Sequence, residues 1–170
     1  MRALLWFKQD LRLDDHPALQ AGLAAECLLP VYVLDPELLQ LNAFGMRRMG
    51  VHRARFLLES LVALESELRQ RGSHLLVIIG TAEQVIPQLV AQFKLDQVLT
   101  LEEVAPDERA QMARVAQGLG DHHPALHPAG QGHDPVVALV PERQVAQRLF
   151  DVSRVRSLAE QAAAEGHRGQ

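Results

Sequence analysis

Cys27-Leu-Leu-Pro-Val-Tyr-Val-Leu34 is an apolar run of strand length, and with Ala3 to Phe7 before it and His74 to Ile79 and Val98 to Leu101 after it, it sets the fold. Such runs, bounded by charged and turn residues, read as strands buried on both faces of a sheet. Between them lie segments of helical length. Strands alternating with helices predict right-handed βαβ units, and so a doubly wound, parallel, five-stranded Rossmann-like α/β sheet with helices on both faces.

The helices are marked individually. Pro17 suits a first helical turn, so a helix runs from there to about Ala25, capped by Asp15 or His16. From Val51 onward Leu57, Leu61, Leu64 and Leu68 recur at helical spacing, and Gly72 stands where a glycine ends such a helix. Thr81-Ala-Glu-Gln84 has capping-box spacing, which starts a helix at Ala82 that continues to about Phe93 and bends at Pro87. A fourth helix fits Pro106 to Leu119, with Asp107 and Glu108 at its positive end. Beyond Gly118 the pattern dissolves into Gly, Pro and His, with a short strand around Ala125 to His127. Val136 to Val140 then reads as a strand, Pro141 to Leu158 as a terminal helix and 159–170 as a tail. Residues 1–158 are therefore expected to form one α/β domain.

Composition narrows the function. At 170 residues, 48% hydrophobic and 22% charged, the chain can bury a core without staples. A net charge of −4 argues against sequence-independent nucleic-acid binding. Cys27 is the single cysteine, which excludes an intrachain disulfide and a thiolate metal cluster; it reads as a small packed hydrophobe. No apolar stretch reaches bilayer length, and the N-terminal one is shorter than a signal-peptide core, so a cytoplasmic, non-membrane protein is expected. Dinucleotide fingerprint, P-loop, H-E-x-x-H and G-x-S-x-G are all missing, and neither Ser60 nor Ser73 has an evident base. The chain reads as a binder of a ligand or partner, not as an enzyme with its own nucleophile.

In an open parallel sheet ligands bind outside the carboxyl ends of the strands. Lys8 to His16, Asp35 to Arg48, Gly80 to Thr81 and Glu102 to Ala105 meet there, bringing charges of both signs. Lys8, Asp10 and Arg12 suit a polar ligand, although Asp10 and Arg12 equally suit bonds to backbone and to each other that hold the loop. Asp35 follows the second strand. Arg47, Arg48, Arg53 and Arg55 crowd the start of the long helix, where an anion is favoured. Arg48 and Arg55 should point away from the leucine stripe into solvent, which leaves Arg53 as the ligand candidate. Glu102 and Glu103 are adjacent on an extended segment, so at most one faces a given pocket. That one can accept hydrogen bonds from ligand ring nitrogens. His122, His123, His127 and His133 lack a metal-site spacing and read as a loop.

Leu5-Trp-Phe-Lys-Gln-Asp-Leu-Arg-Leu-Asp-Asp-His-Pro-Ala-Leu19 resembles the opening of the photolyase/cryptochrome family, usually W-F-R-x-D-L-R-x-x-D-N-P-A-L. Val31-Tyr-Val-Leu-Asp-Pro36, Arg53 to Leu61, Gly80 to Leu89 and Glu102 to Arg109 continue the likeness, which covers about Met1 to Leu119. The resemblance implies the family's N-terminal α/β domain, which holds or borders an antenna chromophore, a folate or a deazaflavin. It also implies that Glu103, or alternatively Glu102, is the acidic residue that meets the antenna. Lys8 replaces the family's Arg, and His16 its Asn. The family's flavin, its electron-transfer tryptophans and its DNA groove belong to a helical domain that follows, before which this chain stops; neither FAD binding nor autonomous photorepair is expected. Three readings result: a stand-alone antenna-type domain for a chromophore or nucleotide-like ligand, a module docking a protein partner or a second copy through the face the helical domain would cover, and an ATP-binding domain of related topology.

Overall fold

Strand β1, Arg2–Phe7, is buried almost end to end and serves two cores at once. Ala3, Leu5 and Phe7 enter one hydrophobic cluster, while Leu4 and Trp6 enter the other. Period-two alternation of a wholly apolar strand has this result when both sheet faces are covered. The computed structural model describes residues 1–38, 40 and 48–120, and the backbone of 126–128.

The chain then runs α1 (Pro17–Gly22), β2 (Cys27–Leu34), a 3₁₀ turn (Pro36–Leu38), α2 (Val51–Gln70), β3 (Leu76–Ile79), α3 (Ala82–Phe93), β4 (Gln97–Thr100), α4 (Pro106–Leu119) and β5 (Leu126–Pro128). All strand pairs are parallel, in the order β3-β2-β1-β4-β5. Leu61, Leu64 and Leu68 of α2, with Ala18 of α1, cover one face against Leu28, Tyr32 and Leu34. Val85, Ile86, Leu89 and Val90 of α3, with Val115 and Leu119 of α4, cover the other against Leu29, Val31 and Val98. This is the doubly wound α/β sheet that the sequence predicts, and the short strand expected near residue 126 is its fifth.

Two local expectations change, at α1 and at Thr81, while Cys27 and Gly72 behave as the sequence predicts. Helix α1 ends at Gly22, not near Ala25, because the Glu26 amide is taken by the Met1 carbonyl at 2.8 Å, which starts β2 alongside β1. Thr81 stands at the N-cap of α3 without a side-chain cap bond; its carbonyl instead accepts from the Gln84 and Val85 amides. Cys27 packs partly buried at the edge of the α3/α4 core. Gly72, at φ 76°, takes the left-handed turn just past α2, a conformation that costs glycine nothing. The strand at Val136 to Val140, the helix at Pro141 to Leu158 and the tail lie outside the described residues. Among the described residues no helix is long and apolar enough to cross a membrane.

Candidate functional site

The strand order places the site. From β1 the chain winds outward through β2 and β3, then crosses back to lay β4 on the other flank of β1. The crevice outside the carboxyl ends of β1 and β4 is therefore the topological switch point, where open α/β sheets take ligands. The Thr100 hydroxyl, fully buried, donates to the Trp6 carbonyl at 3.0 Å and ties the two strand ends together.

Lys8 leaves β1 and Glu103 follows β4, and at this point they meet: Nζ lies 3.1 Å from Oε2, with side chains only 8% and 18% exposed. The ammonium also stands 5.2 Å from the centre of the Trp6 ring, within cation–π range. The two charged atoms face each other as an enclosed ion pair. Glu102 is exposed, as the alternation of neighbouring residues requires.

Asp10 and His16 pair next to Lys8 in the same loop. One Asp10 oxygen accepts the Lys8 amide at 2.7 Å; the other lies 2.8 Å from His16 Nε2. His16 is wholly buried, packs edge-on against Phe7 and caps α1, its Nδ1 accepting the Leu19 amide at 3.0 Å. That cap demands the tautomer with a bare Nδ1 and a proton on Nε2, which is aimed at Asp10. Burial would raise the Asp10 carboxyl. The hydrogen bonds from His16 and the Lys8 amide outweigh it and hold the pKa below 3.8.

Arg12 is used in the loop: its guanidinium donates to the Asp15 carbonyl at 3.1 Å, bracing a residue whose φ of 48° is left-handed. Asp10 and Arg12 thus hold the loop, as the plainer reading of the sequence has it, but the partner of the Asp10 carboxylate is His16 and not the Arg12 side chain. Asp35 accepts the Glu37 amide at 2.8 Å and shapes the turn after β2. Arg53, at the exposed start of α2, donates to Gln9 at 3.4 Å, which links the helix to the β1 loop. Arg48 is exposed and Arg55 pairs with Glu59 on the solvent side of α2. Arg47, His122, His123 and His133, and the side chain of His127, lie outside the described residues.

Tyr32 was not legible as a site residue. It ends up beside Phe7 in the strand register, nearly buried, and its phenol is pushed up to about 12 by burial, with Arg53 opposing and Asp10 and Glu103 adding to the shift. A tyrosine in an apolar strand gives no sign in the sequence of the charged loops its ring will meet. Ser60 donates to the Phe56 carbonyl one turn back, and Ser73 is buried. Neither has the geometry of an activated nucleophile.

The fold defines a class: doubly wound parallel α/β domains with a topological switch point between β1 and β4. More particularly, the chain belongs to the DNA photolyase family, whose model matches residues 3–129. The likeness therefore extends past Leu119 and takes in β5. A cryptochrome DASH of Natronomonas pharaonis is 38% identical over 125 residues, which is 73% of this chain and 26% of the relative. A cryptochrome structure from Synechocystis matches with TM-score 0.66 and 33% identity over 69% of this chain and 25% of that one. An archaeal photolyase from Sulfolobus tokodaii, solved with two FAD molecules, matches with TM-score 0.75 and 19% identity over 94% of this chain and 42% of that one, which shows the shared fold. The chain spans about a quarter of the length of the first two.

Proposed function

We propose that residues 1–158 act as an antenna-type domain, binding a folate, a deazaflavin or a similar nucleotide-like aromatic ligand at the switch-point crevice, without carrying out DNA photorepair by themselves. One observation carries the reading: Lys8 and Glu103, brought from different strands, form a mostly enclosed ion pair at the switch point, setting charges of both signs where open α/β sheets take ligands. An enclosed ion pair repays its desolvation only when further hydrogen bonds complete it, and a bound ligand can supply them. A flat heteroaromatic ring with polar edges suits the charges of both signs that Lys8, Arg53 and Glu103 bring to the carboxyl edge of the sheet.

The test is an absorbance and fluorescence spectrum, from the near ultraviolet to the blue, of the protein purified from its native host. A chromophore band that disappears on replacing Glu103 supports the reading; a featureless spectrum, joined to failure of folate and deazaflavin to bind the purified chain, rejects it.

The reading as a docking module ranks second. Phe56 is 70% exposed and Val62 50% on α2. They stand six positions apart, about 120° round the helix, so they do not form one stripe. Single exposed apolar residues are ordinary. The ATP-binding reading ranks third, because the phosphate-cradling glycine loop is missing.

A further inference from the structure

His16 is a buried titratable side chain that the proposed ligand site does not use. Its ring is wholly enclosed and touches two elements at once: Nδ1 accepts the Leu19 amide at 3.0 Å and caps α1, while Nε2 lies 2.8 Å from Asp10 Oδ2 in the loop after β1. The other Asp10 oxygen accepts the Lys8 amide, so the ring joins the first turn of α1 to the start of that loop. Only a neutral imidazole can do this, because an imidazolium is a donor at both nitrogens and a donor cannot cap an amide.

The neighbouring charges decide what a second proton does. Asp10 is the ionised group in contact, its carboxyl held below 3.8. Helix α1 packs on β1 and β4, and neither α1 nor β4 carries an ionisable side chain. Within β1 only Arg2 ionises, at the far end of the strand, and Phe7 meets the ring edge-on. Beyond Asp10 stand Tyr32, whose phenol is pushed up to about 12, and Lys8 and Glu103, which pair with each other. Arg12 donates to the Asp15 carbonyl, and the Asp14 and Asp15 side chains are exposed. A proton taken from solvent at Nδ1 therefore strengthens the attraction to Asp10 and at the same time sets two donors, Nδ1–H and the Leu19 amide, against each other.

We propose that His16 is a pH-sensitive latch: neutral, it fastens α1 to the β1 loop; protonated, it stays with Asp10 and releases Leu19, opening the first turn of α1 so that Nδ1–H reaches water. The inference is independent of the ligand reading, since every group in it belongs to the protein. An asparagine could cap the same amide without titrating, so the histidine adds a pH dependence that the helix itself does not need.

The full chain is followed by NMR from about pH 8 to about pH 5, the range in which histidine changes charge. The readouts are the His16 ring nitrogens and the exchange protection of backbone amides, each corrected for its intrinsic rate at that pH. Protection at Leu19 should fall about five-fold or more as the cap is lost. The fall should share its midpoint with the His16 imidazolium signal, while the Leu4 and Leu5 amides of the central strand β1 keep their protection. In His16→Asn, protection at Leu19 should be the same at both ends of the range.

Titration of His16 with Leu19 still protected overturns the latch, as does the absence of any titration. Loss of protection at Leu19 and β1 together overturns it too, because that is unfolding of the whole domain, and so does a Leu19 amide that still responds to pH in the asparagine variant. The first comparison uses the unaltered protein, so it decides the matter even if the variant fails to fold.

Discussion

Tyr32 is the chain's one tyrosine, so its tyrosinate absorbance reports a single buried phenol. In the folded protein the band should rise only near pH 12, against 10.0 for an ordinary tyrosine. A rise near 10 in protein still folded by circular dichroism would contradict the burial described. The same shift affects stability. The folded state keeps its proton to higher pH than the unfolded one, so the stabilisation is complete below 10.0 and declines as pH rises from there toward about 12. Asp10 works in the opposite direction. Its carboxyl is held below 3.8, so its contribution is complete above that value and is lost as pH falls through the lowered one. Asp10→Asn leaves one oxygen for two donors and turns an amide NH₂ toward either the Lys8 amide or His16 Nε2. It should cost about 1–3 kcal/mol in urea unfolding at neutral pH. The difference from the parent should shrink in acid, and a constant difference at all pH values would refute the ionic part of the argument. Lys8, Asp10 and Glu103 were legible in the sequence because charge beside a buried strand end is conspicuous. The Asp10–His16 contact was not, since it spans six residues of irregular loop in which no period shows which side chains meet.

Elements were easier to read than contacts because burial on both faces leaves long apolar runs and helices leave a repeat. Cys27–Leu34, Ala82–Phe93 and Pro106–Leu119 appear where the pattern puts them. Misplaced ends have tertiary causes, as at α1, where a backbone bond from Glu26 to Met1 decides what propensity does not. The same short helix offers a test of how closely it sits on the sheet. A Cβ on Gly22 would lie 2.8 Å from Leu28 Cδ1 and 3.2 Å from Leu99 Cδ1, both side chains of the core. Alanine gains about 1 kcal/mol over glycine within a helix. Overpacking a close-packed core costs about 1–3 kcal/mol. Gly22 is the last residue of α1, where the helical gain is smallest, so the clash should win. Gly22→Ala is expected to lower the urea midpoint with its slope unchanged, and a rise in the midpoint would show that Leu28 can move aside without loss.

At the scale of the molecule, connectivity makes the site. No single segment contains it; Lys8 and Glu103 are 95 positions apart, and only the crossover that places β4 beside β1 brings them together. The sequence therefore showed which edge of the sheet would gather the polar loops but not which residues would face each other. Net charge carries a separate consequence. DNA affinity without sequence preference grows with the number of phosphates neutralised, and this chain has 17 Lys and Arg against 21 Asp and Glu. Membership of a family named for DNA photolyases does not alter that electrostatic requirement. The 170-residue chain is expected to leave the fluorescence anisotropy of a labelled duplex unchanged at physiological salt, up to protein concentrations on the order of 10⁻⁴ M, the weak end of non-specific binding. Binding that tightens steeply as salt is lowered would point to a local cationic surface that acts despite the overall balance. Arg48, Arg53 and Arg55 at the exposed start of α2 are where it would lie. Replacing Arg48 and Arg55, which stand on the solvent side, would then reduce the salt slope by about one for each phosphate no longer neutralised.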